Sequence, residues 1–235
     1  MQPMQPYLEA LIRLFYPSYC GLCDALLAIH EGTLCLDCGL KLEEKRFDPL
    51  EALVDPKLYR EALWDNAWTV FPYESPIKEL LTAAKFSGRP RLMQAFEFYL
   101  KSIGQTILSE EHYDLIVPVP QGTQHWLERR FNPAEKIAFS VSNFKVAVET
   151  GVLGKRRRIL PQSSLTREER LANPWGAFKM LRPEKVRNRS VLVIDDILTT
   201  GATAGECCRL IKEAGAKRVG LVALARTVAA ATTTT

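Results

Sequence analysis

At 235 residues the chain can hold one large domain, or one medium domain with a small appendage. Its 47% apolar and 25% charged content belongs to a folded globular protein rather than a disordered one. No apolar run is long enough to cross a bilayer, and Glu9 and Arg13 interrupt the N-terminal "YLEALIRLF", so neither a membrane span nor a signal peptide is expected and a cytoplasmic protein is. The net charge of +4 is weak evidence for a polyanionic partner by itself.

In chain order, residues 7–16 place Leu8, Leu11, Ile12 and Phe15 at helical spacing. "CGLC" and "CLDC" follow, setting Cys20, Cys23, Cys35 and Cys38 as two CxxC knuckles eleven residues apart. Each knuckle can offer two thiolates to one tetrahedral ion, so a closed, structural four-cysteine zinc site is expected; two redox dithiols are the other reading. His30 lies between the knuckles as a solvated bystander or a substitute ligand. "AWTVFPY" reads as a strand, and "SPIKELLTAAKF" as a helix with Ser75 at its N-cap and Pro76 at its first position. Lys85 closes that helix, either as a partner of its C-terminal dipole or as an anion contact.

"RLMQAFEFYLKSIGQTIL" is a further helix, and "EEHYDLIVPVP" ends in a strand. After it, Gln121-Gly122-Thr123 is either an anion-binding loop or an ordinary strand-to-helix turn. A helix is expected over Pro133 to Ser142 and a short strand within "FKVAVETGVL". The polar stretch from Gly154 to about Pro174 is long for a connector. It opens with Lys155, Arg156, Arg157 and Arg158, which read as a solvated surface run or as a lid over an anion; Arg129-Arg130 form a second basic pair. "SVLVIDDIL" has the continuous apolar run of a strand buried on both faces. A helix over Thr203 to Ala214, a C′ residue at Gly215 and a strand over "RVGLVALA" complete an α/β pattern with a mainly parallel sheet. Cys207 falls on the apolar face of that helix; Trp64, Trp68, Trp126 and Trp175 read as packing, the last two beside basic segments.

The stretch "SVLVIDDILTTGAT" carries the chemistry. Ligands of parallel sheets sit beyond the strands' carboxyl ends, and a helix N-terminus favours an anion. Thr199, Thr200 and Thr203 add hydroxyl donors, and Gly201 permits close approach or positive φ. Asp195 and Asp196 can accept hydrogen bonds from a vicinal diol. A 5-phosphorylated ribose presents both features. The acids alone would equally suit a phosphoacceptor or a magnesium site, but no GxxxxGK[ST] cradle occurs in the chain.

"VLVIDDILTTGAT" resembles the phosphoribosyl-pyrophosphate (PRPP) loop of type I phosphoribosyltransferases. The two knuckles, "KFSGRPRL", "VPVP", "RRFNPAEKIA" and "RRRILPQSSLTREERLANPWGAF" together resemble the ComF/GntX-type branch, which is associated with natural competence. Where that pattern reads "RGFNQ", this chain has Arg130 for the Gly and Pro133 for the Gln.

The resemblance implies a type I phosphoribosyltransferase fold over 47–230 and a small N-terminal zinc domain over 1–46. It implies transfer of phosphoribosyl from PRPP, with Mg²⁺, to an unknown acceptor with release of pyrophosphate. Asp195, Asp196, Lys155 and Arg157 are then the catalytic candidates. Thr199, Thr200, Gly201, Ala202, Thr203, Gln121, Gly122, Thr123 and Lys85 are the PRPP-binding candidates. Arg129, Arg130, Arg156 and Arg158 are candidates for single-stranded DNA, and an ATP-driven DNA importer is a candidate partner. The alternative is a non-catalytic DNA-binding adaptor in competence that uses the PRPP site for regulation.

Overall fold

The computed structural model describes residues 15–55, 59, 63–121, 131–156 and 176–228, without the side chains of 49 and 50. Expectations for the N-terminal helix up to residue 14, for Gly122, Thr123, Arg129 and Arg130, and for Arg157 and Arg158 therefore fall outside the described residues.

Helix α1 (Leu36–Glu43) begins within the second knuckle and contains Cys38; a single helical turn at Pro49–Ala52 and strand β1 (Asn66–Pro72) follow. Helix α2 (Ile77–Phe86) leads into a 3-10 segment (Pro90–Phe96), helix α3 (Glu97–Glu110) and strand β2 (Leu115–Pro118). Helix α4 spans Pro133–Ser142, and β3 (Leu153–Lys155) pairs antiparallel with β4 (Phe178–Met180). Strand β5 (Ser190–Leu198), helix α5 (Ala202–Glu213) and strand β6 (Arg218–Arg226) follow. The main sheet has the order β1-β6-β5-β2 and is parallel throughout.

Among the described residues, one core forms on each face of the main sheet because strand side chains alternate between faces. Leu192 and Ile194 of β5 pack with α2, α3 and α4 on one face. Val191 and Val193 point the other way, toward Ala204, Cys207, Cys208 and Ile211 of α5 and toward Leu153 and Phe178 of the hairpin. With both faces covered, β5 needs the unbroken apolar run that the sequence shows.

Helix α4 begins where expected. Asn132 accepts a hydrogen bond from Ala134 N–H at 3.1 Å and donates its own amide to Val119 C=O at 3.0 Å, so one side chain caps the helix and ties it to the chain beyond β2. Two expectations change. Ser75 does not cap α2: Pro76 is the cap residue and makes no side-chain bond. The backbone supplies the acceptors instead, since Lys78 N–H donates to Glu74 C=O at 2.8 Å and Leu80 N–H to Pro76 C=O at 3.2 Å. The helix expected over 91–108 opens as a 3-10 coil from Pro90 and becomes α-helical only at Glu97. That tighter coil buries Leu92, Met93 and Phe96 together.

The cysteine head is packed onto the sheet domain. Leu42 of α1 is buried in the α2–α3–α4 core, and Leu22 and Leu34 pack against it. A Cβ on Gly21 would lie 2.3 Å from Leu92 Cδ2, so any larger residue between the first knuckle and the 3-10 segment would have to displace the Leu92 side chain. Among the described residues, no helix is long and apolar enough to cross a membrane.

Candidate functional site

The two sides of β5 end differently. On the β2 side pairing stops at Ile194, opposite Pro118. On the β6 side it continues from Asp195 opposite Ala223 to Leu198 opposite Arg226. The acid pair is thus inside the strand rather than past its end, yet beyond the last β2 partner. The sequence alone does not show this, because it depends on the neighbouring strand being shorter.

Asp195 is 8% exposed. Its Oδ1 accepts a hydrogen bond from Asp196 N–H at 2.8 Å. Burial, reinforced by the negative charge of Asp196, pushes its carboxyl up to about 7, against the opposing pull of that N–H and of Lys85. Asp196 turns to Lys85 from the last turn of α2: Lys85 Nζ lies 2.7 Å from Asp196 Oδ2, with the lysine side chain 9% exposed. Lys85 thus joins the acid pair.

Gly201 sits at the N-cap of α5 with φ +78, a conformation that favours glycine. As a glycine it brings no side-chain cap of its own to the helix. Thr199, Thr200 and Thr203 are exposed around its N-terminus, and Thr200 Oγ1 accepts a long 3.4 Å contact from Ala202 N–H. The turn therefore presents backbone N–H groups and hydroxyls toward solvent with the positive end of the helix dipole behind them. A Cβ on Gly201 would meet Trp64 Cη2 and Tyr59 Cδ1, each at 3.0 Å. Those two rings pack edge to face, with centroids 5.7 Å apart, and form the wall against which the turn rests. Trp64 reads from sequence as packing; Tyr59 carries no local signal at all.

The other candidates are placed as follows. Gln121 follows β2, and its amide N and O are buried with no hydrogen-bond partner among the described residues. Lys155 ends β3 with its ammonium 5.7 Å from the centroid of the Phe178 ring, not on the acid pair. Arg156 donates its backbone N–H to Ala177 C=O at 2.8 Å, which holds the two ends of the long polar stretch together.

Glu206, not singled out from sequence, strengthens that closure. It is 3% exposed on α5, accepts Gly176 N–H at 2.9 Å, and is held by Arg209 Nε at 2.7 Å. Burial acts against its charge, but Arg209 and the Gly176 N–H outweigh it and hold the carboxyl below its ordinary range. Cys207 and Cys208 are both fully buried, and burial raises both thiols.

In the head, all four sulfurs of Cys20, Cys23, Cys35 and Cys38 lie within 4.8 Å of one another, and Cys23 Sγ is 3.7 Å from Cys35 Sγ. A tetrahedral zinc with Zn–S near 2.3 Å separates its sulfurs by about 3.8 Å, so the donor set fits that ion. The Cys20 thiol is brought down to about 6. Burial works against this, but backbone N–H groups of Cys23, Cys35 and Leu22 outweigh it. Cys38 is raised, by burial first and by its sulfur neighbours next. Four clustered sulfurs, of which Cys20 favours the thiolate while Cys35 and Cys38 are held back from it, are the arrangement that a divalent cation relieves.

The family model for the phosphoribosyl transferase domain matches residues 90–232. The chain is 27% identical over 236 residues to DNA utilization protein YhgH of Escherichia coli (strain K12), covering 90% of this chain and 98% of that protein. It is 30% identical over 216 residues to competence protein ComFC of Streptococcus pneumoniae, covering 86% and 91%. Among solved structures, a purine phosphoribosyltransferase from Pyrococcus horikoshii aligns with TM-score 0.35 and 14% identity, over 55% of this chain and 71% of that one.

Proposed function

Because the chain belongs to the phosphoribosyl transferase domain family, in its ComF branch, we propose that it binds PRPP with Mg²⁺ and transfers the phosphoribosyl group to an acceptor, releasing pyrophosphate, in the handling of incoming DNA. One observation supports this above the others. The pair Asp195-Asp196, left without a strand neighbour on the β2 side, lies a few residues before a helix N-terminus led by Gly201 at φ +78. Diol acceptors and an anion seat on one short segment match the two ends of a 5-phosphorylated ribose.

In this reading Thr199 to Thr203 hold the 5-phosphate through backbone N–H groups and hydroxyls. Asp195 and Asp196 accept the ribose hydroxyls. The C1–diphosphate bond breaks and a bond from C1 to the acceptor forms, so the protein's share is orientation and stabilisation of the departing charge. The Gln121 amide, without a partner among the described residues, supplies a donor and an acceptor for a bound group. Lys155, with Arg157 beyond the described residues, remains the candidate for contact with the leaving group. Mg²⁺, when bound together with the diphosphate, would offset its negative charge. Asp196 is already ion-paired with Lys85, so these residues do not make a separate protein cage for the cation.

The names of the relatives also support a second reading, an adaptor for single-stranded DNA in which sugar-phosphate binding is regulatory. Calorimetry with PRPP and Mg²⁺, repeated with single-stranded DNA present, separates the two. The enzyme reading expects saturable PRPP binding, and pyrophosphate release once an acceptor is supplied. PRPP binding without turnover, coupled to salt-sensitive DNA binding, favours the adaptor. No PRPP binding at all overturns both.

A further inference from the structure

Lys85 lies outside the 90–232 segment that the family model matches, so the match says nothing about it. Its placement does. An ammonium that is 9% exposed at the end of a helix must find a fixed partner or lose its charge. The partner is Asp196 Oδ2 at 2.7 Å, and Asp196 in turn donates its backbone N–H to Asp195 Oδ1 at 2.8 Å. Lysine, Asp196 and Asp195 form one connected chain of contacts that reaches from α2 into the middle of β5.

We propose that Lys85 is a positioning residue, the built-in counter-ion of the acid pair, which lets two adjacent carboxylates share one site as acceptors for a sugar diol. The inference rests on the sugar-phosphate reading above and deepens it. A carboxylate has about four lone-pair positions, so the Lys85 contact on Oδ2 leaves Asp196 able to accept a hydroxyl. Without the ammonium, two neighbouring acids repel and the site takes up a proton. Asp195 already stands near that point, its carboxyl pushed up to about 7 by burial and by Asp196. A protonated acid presents a donor where the diol needs an acceptor.

The competing role for Lys85 is direct contact with the diphosphate, and ribose 5-phosphate separates the two because it lacks that group. Binding of ribose 5-phosphate and of PRPP with Mg²⁺ is measured by calorimetry on the full chain, for wild type, Lys85→Met and Lys85→Arg. If Lys85 is the counter-ion, Lys85→Met weakens both ligands by the same factor, about tenfold, and Lys85→Arg restores most of the loss. A loss confined to PRPP, or no loss for either ligand, overturns the proposal. Failure of wild type to bind either ligand brings down the sugar-phosphate reading and this inference with it, an outcome distinct from the other two. Lys85→Gln gives the same comparison if the Met variant does not fold.

Discussion

Asp195 costs the fold something. Burial and the neighbouring Asp196 charge push its carboxyl up to about 7 in the folded chain, from an ordinary value of 3.8. Between those values the native state holds a proton that the unfolded chain has released. Stability therefore falls as pH rises through that window, and the penalty is complete above about 7. Asp195→Asn removes the charge and keeps an oxygen for Asp196 N–H. It is expected to unfold at higher temperature than wild type at pH 8, by more than about 1 kcal/mol in stability, and to show little gain at pH 4, while ribose 5-phosphate binding is lost. An equal gain at both pH values would count against a buried, reluctantly ionised Asp195. Gly201 makes the opposite case. Gly201→Ala forces a side chain into φ +78 and a methyl against Trp64 and Tyr59. A loss of about 2 kcal/mol is expected by denaturant unfolding, together with weaker phosphate binding. The acids, the threonines and Gly201 are all legible in "IDDILTTGAT". Lys85's bond to Asp196 and the Tyr59–Trp64 wall are not, because each joins residues that only the folded sheet brings together.

Among the elements, those whose signals are local were readable. Helix α4 has Pro133 at its start and Asn132 as its cap, and β5 has an apolar run bounded by Arg189 and Thr199; both keep their expected limits within a residue. The limits that moved were set by neighbours. The 3-10 coil at Pro90–Phe96 buries Leu92, Met93 and Phe96, with Leu92 against Gly21 of the cysteine head, a contact between residues far apart in the chain. The head yields its own prediction. The purified protein is expected to carry about one zinc per chain, measured by atomic absorption. Stripping it with a chelator at neutral pH should unfold the head and lower the melting temperature of the whole chain, because Leu22, Leu34 and Leu42 pack against the α2–α3–α4 core. A metal-free protein with an unchanged melting temperature would contradict the zinc assignment.

On the scale of the whole molecule, the pattern of alternating strands and helices was enough to give a parallel α/β sheet, but not its strand order. Sequence neighbours are poor guides here: β1 lies beside β6 at the far end of the chain, and β2 beside β5. Residues before 90 thus supply one flank of the sheet through β1 and, through Lys85, one corner of the proposed pocket. A fragment trimmed to the 90–232 borders would lose both. It would bare the row of backbone groups on β6 that β1 now occupies from Asn66 to Pro72, inviting other chains to pair there. The segment that the family model matches is, by its own wiring, not a separable module.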